Sequence, residues 1–463
     1  MSRRPGVVNP RILWRRAWPL VVIIGVIAAS GYLPSIELSR GERASRVAAE
    51  QTSAVCPIPT QGSVGSFAVA TDKRARDVSV RWFGTRTGSH MVSGPLQAMS
   101  VPRKAGVAVV ATGEESAATT DAVMLTVSSD TLLRGMYAQN CQGTGTQWWF
   151  AGAASDYGRA DMIVLTNPLR SRAVVDIEAL TAQGSLHSAA SRGIAVSPRS
   201  RRVLAVSSLF PGLSSAVLHI TTTNGQIHAA VLASQFEGSI GIGAEWLPAT
   251  TPGADFVPVA ADLAQATLML AATVSTRVEV VAAGPGGEFT PVGLESITIP
   301  AGHCVAVTLP QVAPDAAVLR ISSTAPVIAG IVGRVSKKRA SVGDLVASSG
   351  ARASLERAQS VVGLRGTSTR LVVVADSQEP TTVDIAIPGR WRTQLRLAAG
   401  EATTVAVPEQ RRTEVVTLTA ASGRFALMSS HRADGSRMRL AADVISRARQ
   451  TTVLVRPVVQ VER

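Results

Sequence analysis

Residues 215–231 read SAVLHITTTNGQIHAAV, and they give a clear indication of the fold class. It holds a run of alternating apolar and polar residues, then Asn224-Gly225, then a second apolar run. Alternation with a period of two is typical of a β-strand with one buried face. Asn-Gly supplies the positive φ angles that a tight hairpin needs. The stretch therefore predicts two antiparallel strands joined by a short turn.

The same pattern occurs at three other places in the chain. The matching stretches are DAVMLTVSSDTLLRGMY at 121–137, AAVLRISSTAPVIAGIV at 316–332 and TEVVTLTAASGRFALMS at 413–429. Each of the four follows a second strand–turn–strand pattern by about 20 residues. These earlier segments are MSVPRKAGVAVV from Met99, AVSPRSRRVLAV from Ala195, ITIPAGHCVAVTL from Ile297 and LAAGEATTVAV from Leu397.

Equivalent positions of this repeat are about 97 residues apart, which is the size of one β-sandwich of about seven strands. The repeat predicts an all-β protein built from tandem immunoglobulin- or fibronectin-like β-sandwich modules. A β-propeller is the alternative, but one blade takes about 40 to 50 residues, so the observed period disfavours it. The expected sandwiches are residues 56–145, 146–245, 246–345 and 358–463, with a linker at 346–357.

The first 55 residues differ from the rest. Residues 1–16 form a basic tail with five arginines and no acidic residue, and residues 17–34 carry no charge. The uncharged run is about long enough to span a bilayer as a helix. Basic residues before a spanning helix stay in the cytoplasm, so we expect a signal anchor in the cell membrane with the bulk of the chain extracytoplasmic. Residues 35–55 would then be a connector.

Cleavage of a signal peptide is the rival interpretation of this N-terminus. Ala28-Ala29-Ser30 offers small residues near the end of the apolar run, as a signal-peptidase site requires. The protein would then be secreted. Both interpretations place residues after 55 outside the cytoplasm.

The chain carries a formal net charge of +14. A strongly basic protein can bind nucleic acid, anionic lipid or an acidic polymer. Export makes nucleic acid a poor partner, and anionic lipid headgroups or anionic envelope polymers become better ones. The charge therefore predicts a partner in the envelope and no nucleic acid.

Three cysteines fit an exported protein. Cys56 and Cys141 bracket the first strand-rich region, and an oxidising compartment permits a disulfide between them. Cys304 lies in the apolar strand pattern HCVAV and is expected to be a buried free thiol.

No pattern in the sequence predicts catalysis, a metal site or a cofactor. The six histidines show no metal-site spacing, and His219 and His228, on two arms of one predicted hairpin, are expected at the surface. No nucleophile elbow and no phosphate-binding loop is found. The neighbouring carboxylates Glu114-Glu115 and Asp376 with Glu379 fall in predicted loops, where they are usually solvated. We therefore expect a protein that is not an enzyme; an unrecognised hydrolase is the weakest hypothesis.

Trp148 and Trp149 are the most distinctive aromatic pair in the chain. Successive residues of a strand point to opposite faces, so one tryptophan is expected inside a sandwich and the other at an interface. We expect that interface to join the first and second sandwiches. The other interpretation is that the outward tryptophan contacts a glycan or a protein partner.

The densest basic cluster lies in two predicted loops of the second sandwich, which are expected to meet at one end of it. The cluster would bind anionic envelope material or an acidic partner, or would be a solvated loop end. Its members are Arg170, Arg172, Arg199, Arg201 and Arg202.

Several of these segments resemble a family of exported, membrane-anchored actinobacterial proteins, domain-of-unknown-function family 5719. The resemblance rests on Cys56-Pro57, the later Cys141, WWFAG at 148–152, GRADMIVLTNP at 158–168 and AVVDIEALTAQG at 173–184. It implies a cell-envelope context and a gene beside a large membrane glycosyltransferase. The family has no assigned activity, so no functional residue is transferred.

Together these features predict a non-enzymatic, membrane-anchored accessory or scaffold protein of the cell envelope. Its expected partner is a membrane glycosyltransferase or another envelope protein, so that it would support envelope-glycan assembly. The alternative is an envelope polysaccharide-binding protein that uses exposed tryptophan and arginine.

Overall fold

A computed structural model gives the architecture. It describes residues 45–48, 52–56, 64–70, 78–84, 87–92, 96–100, 105–112, 120–129, 133–259, 262–284, 287–309, 317–335, 343–363, 367–410, 412–434, 439–446 and 452–455. The predicted tail and anchor, residues 1–16 and 17–34, lie outside this part of the chain. Among the described residues no helix is both long and apolar enough to cross a bilayer.

The chain divides into two units. One unit is Met1–Ala48 with Thr452–Arg463, and the other, called the body below, is Ala49–Thr451. In the first unit, one strand from each end of the chain pairs antiparallel with the other, with Ser45 opposite Val455.

Nearly all regular structure in the described residues is β-strand, numbered here in chain order. β1 (Ser45–Ala48) precedes the first repeat. The strands of the first repeat are β2 (Thr52–Cys56), β3 (Val64–Ala70), β4 (Ser79–Gly84), β5 (Gly88–Met91), β6 (Leu96–Ser100), β7 (Ala105–Thr112), β8 (Asp121–Ser129) and β9 (Arg134–Asn140). Those of the second are β10 (Gln147–Ala153), β11 (Met162–Asn167), β12 (Ala173–Thr181), β13 (Gly184–Leu186), β14 (Ile194–Val196), β15 (Ser200–Ala205), β16 (Ala216–Asn224), β17 (His228–Glu237), β18 (Ile240–Leu247) and β19 (Ala249–Thr250).

The remaining strands complete the body and the terminal pair. Those of the third repeat are β20 (Phe256–Pro258), β21 (Leu263–Ala272), β22 (Thr276–Gly284), β23 (Gly287–Phe289), β24 (Ile297–Ile299), β25 (His303–Leu309), β26 (Val318–Ser323), β27 (Val327–Val335) and β28 (Leu345–Ser349). Those of the fourth are β29 (Arg357–Val362), β30 (Ser368–Ala375), β31 (Thr381–Ile387), β32 (Trp391–Leu397), β33 (Ala402–Ala406), β34 (Glu414–Ser422), β35 (Phe425–Asp434) and β36 (Arg439–Ser446), followed by β37 (Thr452–Val455). Two short helical turns, Ala189–Ser191 and Val206–Leu209, lie in the second repeat.

The body contains eight antiparallel sheets, two for each repeat, and one strand order recurs four times. The first strand of each repeat lies in a sheet that we call the front sheet, and the second strand lies in the back sheet. The front sheets are β2-β7-β4-β5, β10-β16-β12-β13, β20-β26-β22-β23 and β29-β34-β31-β32. The back sheets are β6-β3-β8-β9, β15-β11-β17-β18, β25-β21-β27-β28 and β33-β30-β35-β36.

Each front sheet and back sheet of one repeat enclose a separate apolar core. On β12, Val175, Ile177 and Ala179 enter the core, while the alternate Asp176 and Glu178 do not. This is the period of two that the sequence shows. The all-β prediction is confirmed, and the eight small sheets are consistent with several β-sandwiches.

The sequence alignment of the repeat is displaced by one strand in the first sandwich. Strands are counted here over the eight that make up each pair of sheet orders, which leaves out the short strands β14, β19 and β24. In the other three sandwiches, the stretches 215–231, 316–332 and 413–429 contain the sixth and seventh strands. These two strands lie in the front and the back sheet and do not pair with each other, so the hairpins predicted there are wrong. Residues 121–137 instead form parts of β8 and β9, the seventh and eighth strands, which do pair. Every strand here carries the same Val/Ala alternation, so the pattern alone does not show whether two successive strands pair or lie in different sheets.

Part of the stretch predicted as a linker, 346–357, is a strand. Residues 346–349 belong to β28, which pairs with β27 and completes the back sheet of the third sandwich. The polar Ser348 and Ser349 give this segment the composition of a linker, yet both are buried. Their burial follows from the position of β28 at the centre of the body, described below.

The four sandwiches form a closed ring within the body. The front sheet of the second packs on the back sheet of the third, and the front sheet of the third packs on the back sheet of the fourth. The fourth front sheet then packs on the first back sheet, where Val361 meets Val123 and Leu125. Between the first and second sandwiches, Tyr137 of β9 packs on the second back sheet and β7 contacts β15. Head-to-tail contacts that close in this way generate a ring.

Candidate functional site

The centre of the ring is formed by the eighth strand of every sandwich. β9 contacts β18 and β36, and β28 contacts the same two strands. Each of these four strands lies at the edge of its own back sheet. An edge strand has a row of backbone N–H and C=O groups without a partner in its sheet, so the junction must satisfy these groups in another way.

The carboxylate of Asp344 satisfies donors from all four strands. Its two oxygens accept hydrogen bonds from the backbone N–H groups of Met136 on β9 (2.7 Å), Ala244 on β18 (3.2 Å), Leu345 on β28 (3.0 Å) and Ala441 on β36 (3.2 Å). Asp344 is completely buried. One side chain therefore connects four sandwiches.

Glu245 forms a second layer of the same kind. Its carboxyl group accepts from the N–H groups of Ala138 (3.2 Å), Trp246 (2.9 Å) and Asp443 (3.1 Å). On each of these three strands, the residue that donates to Glu245 lies two positions after the residue that donates to Asp344. The strands β9, β18 and β36 therefore run in the same direction through both layers.

The direction of β28 is the same. Its first residue, Leu345, approaches Gly243 near the middle of β18. At its other end, the Ser349 hydroxyl donates to the carbonyl oxygen of Ala249, which follows β18 (3.4 Å). All four eighth strands are thus parallel to one another, and all end on the same side of the body.

Two glycines allow the strands to approach so closely. A Cβ atom on Gly135 would lie 2.5 Å from Asp344 Oδ1 and 3.0 Å from the Ala244 nitrogen. A Cβ atom on Gly243 would lie 2.5 Å from the Leu345 nitrogen. No side chain fits at either position without moving backbone or the buried carboxylate.

The pKa values of Asp344 and Glu245 in this junction are raised. Burial raises the pKa of Asp344 to about 8, against the four N–H donors that favour its ionised form. Burial and the neighbouring charge of Asp443 raise the pKa of Glu245 well above its usual range. Protonation avoids the cost of a buried charge, and the hydroxyl oxygen of the protonated group can still accept, although more weakly than a carboxylate oxygen.

A buried arginine balances Asp443 nearby. Arg432 Nη1 donates to Asp443 Oδ1 (2.7 Å), and Arg432 Nε and Nη2 form a bidentate pair with Asp262 (2.9 Å each). Burial disfavours the charged guanidinium, but the two carboxylates outweigh it and raise the pKa of Arg432. Asp262 precedes β21, so the pair connects the third and fourth sandwiches.

Sequence reasoning missed this junction, although the sequence contained a signal. Glu245, Asp344 and Asp443 are each 99 residues apart, and each lies within or beside an apolar strand. An acidic residue recurring at the repeat period inside an apolar pattern indicates a buried polar contact. The junction is buried, so its chemistry is that of a structural core.

The two tryptophans lie on opposite faces of β10. Trp149 is only 3% exposed and packs against Met269 and Ile328 of the third sandwich. Its ring stacks on His219 at 3.6 Å. The interface at this tryptophan therefore joins the second sandwich to the third and not, as the sequence suggested, to the first. Burial leaves Trp149 no free face for a sugar.

Trp148 belongs to the second sandwich itself. It is half-buried, packs against the core of that sandwich and stacks on Phe150 at 6.5 Å. Its Nε1–H donates to the carbonyl oxygen of Ile227 (3.3 Å). His228, expected at the surface, is buried against Trp148, and this burial lowers the pKa of His228 to about 3.

The two arginine loops meet, and Asn167 holds them together. The backbone N–H of Arg199 donates to the Leu169 carbonyl (3.1 Å). Asn167 Nδ2 donates to the carbonyls of Ser171 (2.8 Å) and Val196 (3.1 Å), and its Oδ1 accepts from the Leu169 N–H (3.0 Å). Asn167 is fully buried. The exposed side chains of this loop pair are Arg170, Arg172 and Arg199, with Arg202 exposed and Arg201 half-buried on the adjoining β15.

The first sandwich contains a disulfide. Cys56 and Cys141, the pair expected from sequence, are joined with Cα atoms 4.4 Å apart. Cys304 is a buried free thiol at the interface between the second and third sandwiches, and burial raises its pKa to about 12.

Other ionisable groups do not converge on a site. Glu178 lies 3.4 Å from both His187 and His219. Among the residues that the structure describes, no group of three His, Cys, Asp or Glu side chains could hold a metal ion. Asp376 and Glu379 lie in the loop after β30, and Glu114-Glu115 lies outside the described residues.

Comparison with known proteins gives the family. The profile of DUF5719, a family of unknown function, matches residues 96–408. The chain belongs to the DUF5719 family. The DUF5719 match runs from β6 to just beyond β33, so it includes Glu245 and Asp344 as well as both arginine loops. No curated protein and no solved structure matches this DUF5719 protein.

Proposed function

We propose that the chain is a non-enzymatic scaffold of the cell envelope. It would be anchored in the membrane through residues 17–34, with its body outside the cytoplasm, and would hold a membrane partner such as a glycosyltransferase that assembles envelope glycans. The observation that carries the proposal is the closed ring. A ring of sandwiches fixed to one another by four interfaces and a common centre is a rigid platform, which suits holding a partner in a defined position.

Two further features support an extracytoplasmic location. The Cys56–Cys141 disulfide fits a protein that folds in an oxidising compartment. The uncharged run 17–34 follows five arginines, the pattern of a helix whose N-terminal side stays in the cytoplasm. Within the proposal, the sandwiches themselves are immunoglobulin- or fibronectin-like modules. Their size supports this relation, whereas their strand order departs from the constant-type immunoglobulin order because the first strand pairs with the sixth.

Co-purification tests the scaffold. The tagged full chain is isolated from membranes in a mild detergent, and the proteins that accompany it are identified. The expected result is one membrane enzyme of glycan assembly recovered in constant proportion. The matched comparison uses Val361→Asp, which weakens the ring, and Val292→Asp, a surface residue outside every interface; only the first should lose the partner. Recovery of no membrane protein, together with an unchanged envelope after deletion, would contradict the proposal.

Polysaccharide binding is the second candidate. The exposed arginine loops favour binding of an anionic polysaccharide. Binding of a sugar face by Trp149 is not part of this candidate, because Trp149 has no free face. Affinity electrophoresis with acidic envelope polysaccharide separates it from the scaffold role. Retardation that disappears in Arg170→Glu/Arg172→Glu would support it, and unaltered mobility of the wild-type chain would reject it.

A further inference from the structure

The arginine loops lie on the side of the body where its first strand begins and its last strand ends. We define the exit face as the side on which the four parallel eighth strands end. The first strand of the body also begins there, because Thr52 pairs with Thr112, the last residue of β7 before the loop to the seventh strand. The last strand of the body, β36, ends there as well, at Ser446. The first strand of the body therefore begins, and its last strand ends, on the exit face.

The antiparallel registers place the arginines on the same face. Thr166, at the end of β11, pairs with His228, at the start of β17. Val231 of β17 pairs in turn with Leu247, the last residue of β18. The loop after β11 and the loop before β15 therefore project where β18 ends, which is the exit face.

The exit face of the second sandwich combines positive charge with exposed apolar residues. The described loops there, 168–172, 197–199 and 225–227, contain Arg170, Arg172 and Arg199 and no acidic residue. Leu169 is 37% exposed between them. Val274, in the equivalent turn of the third sandwich between β21 and β22, is 61% exposed.

These loops are held in one shape. Asn167 fixes both of them through three hydrogen bonds. Arg199 has a φ of 49°, a left-handed conformation that non-glycine residues adopt at a cost. The three exposed guanidinium groups therefore keep defined positions around the exposed Leu169, and backbone strain of this kind clusters at functional sites.

We propose that this exit-face loop pair contacts the headgroups of anionic lipids. The arginines would pair with lipid phosphates, which guanidinium groups bind in a bidentate manner, and Leu169 would enter the interfacial region. The inference rests on the proposed anchor, residues 17–34, which would hold the chain at a membrane. The corresponding loops of the fourth sandwich carry Asp376, Glu379 and Glu401, so the contact is made on the side of the second sandwich.

A lipid-quenching experiment tests this contact in the full chain. The chain is inserted into nanodiscs of phosphatidylcholine alone, or of phosphatidylcholine with about a third phosphatidylglycerol. An environment-sensitive dye is attached at Leu169→Cys, and spin-labelled lipids serve as quenchers. Tyr157→Cys is the matched position, since Tyr157 is 93% exposed on the loop at the opposite end of the second sandwich. The other free thiol, Cys304, is buried and unreactive.

The expected result is quenching and a blue shift at position 169 in anionic discs, a weaker effect in neutral discs, and none at 157. The effect should be lost with Arg170→Glu/Arg172→Glu/Arg199→Glu and kept with Arg81→Glu/Arg192→Glu/Arg392→Glu, three exposed arginines elsewhere. It should also fall in 1 M salt, where the screening length drops to about 3 Å.

Three other outcomes overturn this inference. Equal quenching at 169 and 157 would mean no preferred face. Insertion of the chain without quenching at 169 would reject the lipid contact but leave the anchor intact, whereas failure of the chain to enter nanodiscs would reject the proposed anchoring itself. Shielding of position 169 by a soluble acidic polysaccharide but not by lipid would assign the arginines to a polymer instead.

Discussion

At the centre of the body, Asp344 accepts backbone hydrogen bonds that a neighbouring strand would accept elsewhere in a sheet. Its oxygens accept from edge strands of four different sandwiches. Glu245 repeats this one layer further along. A buried donor left without a partner costs about 1 to 3 kcal/mol, so these two side chains affect stability more than their size suggests.

Asp344→Asn tests the importance of the second oxygen. In the protonated Asp344 the hydroxyl oxygen can still accept from a backbone N–H, whereas the NH2 group of asparagine accepts from neither donor at that position. We therefore expect the free energy of unfolding to fall by about 2 kcal/mol or more. Denaturant unfolding at pH 7 measures it. Asp384→Asn, at a partly exposed carboxylate on β31 that accepts from Gln394, should stay within about 0.5 kcal/mol of wild type. Similar losses in both variants would contradict the role given to Asp344.

Stability should fall as pH rises from 7 to 8. The folded state keeps the Asp344 proton up to about pH 8, whereas the unfolded carboxyl group loses it near pH 4. Over this interval the folded state binds more protons, so the free energy of unfolding decreases with pH, by about 1 kcal/mol. Buried His228 and His431 have lowered pKa values and act only below about pH 6.5. Asp344→Asn should flatten the slope, and an unchanged slope would refute this assignment.

The eighth strands depend on two glycines for their close approach. In Gly135→Ala the new methyl group would meet Asp344 Oδ1 at 2.5 Å, so overpacking adds to the backbone cost of the positive φ. We expect a loss of about 3 kcal/mol or more in denaturant unfolding. Gly287→Ala is the matched control, because Gly287 also has a positive φ but has open space at the Cβ position. Equal losses would mean that backbone conformation alone requires glycine at 135.

The sequence predicts well where the strands are, but less well which strands and sandwiches contact one another. The Val/Ala alternation of β12 is a local signal, and it predicts the strand correctly. Asn224-Gly225 does mark a turn, but the turn joins β16 of the front sheet to β17 of the back sheet and not two strands of a hairpin. The alternation carries no information about which sheet a strand belongs to, so the first sandwich was aligned one strand out. One of Trp148 and Trp149 was expected at an interface with the first sandwich, but the actual partner of Trp149, the third sandwich, depends on contacts between residues more than a hundred positions apart. The roles of Glu245 and Asp344 were not predicted, because the sequence does not reveal that four strand edges converge on them.

Closure of the ring should slow hydrogen exchange in the strands that lie at the sheet edges of the individual sandwiches. In a simple string of sandwiches, alternate amides of each eighth strand would exchange with solvent as at any sheet edge. In the ring, the amides of Met136 and Ala138 on β9 donate to buried carboxyl groups. Hydrogen exchange measured by mass spectrometry should therefore show slow exchange for residues 134–140. Fast exchange there would contradict the closed ring.

Opening one interface should have distant effects. Val361→Asp places a charge between the fourth and first sandwiches. It should speed exchange in β9 and β36 while leaving β22, far from that interface, unchanged. Val292→Asp, at a residue that is 91% exposed, should alter neither. If Val361→Asp affected only β29, the sandwiches would be independent.

The four sandwiches follow one another around a closed ring, and the body begins and ends at one of the four boundaries between neighbouring sandwiches. The fourth sandwich touches the first through the same pair of sheets that joins the second to the third and the third to the fourth. The links between sandwiches and both ends of the body lie on one face. A rearranged gene that begins at the second sandwich and finishes with the first, its old ends joined by a short linker, should therefore build the same body. Circular permutation succeeds where termini lie close together at a surface, and here the architecture offers four such places.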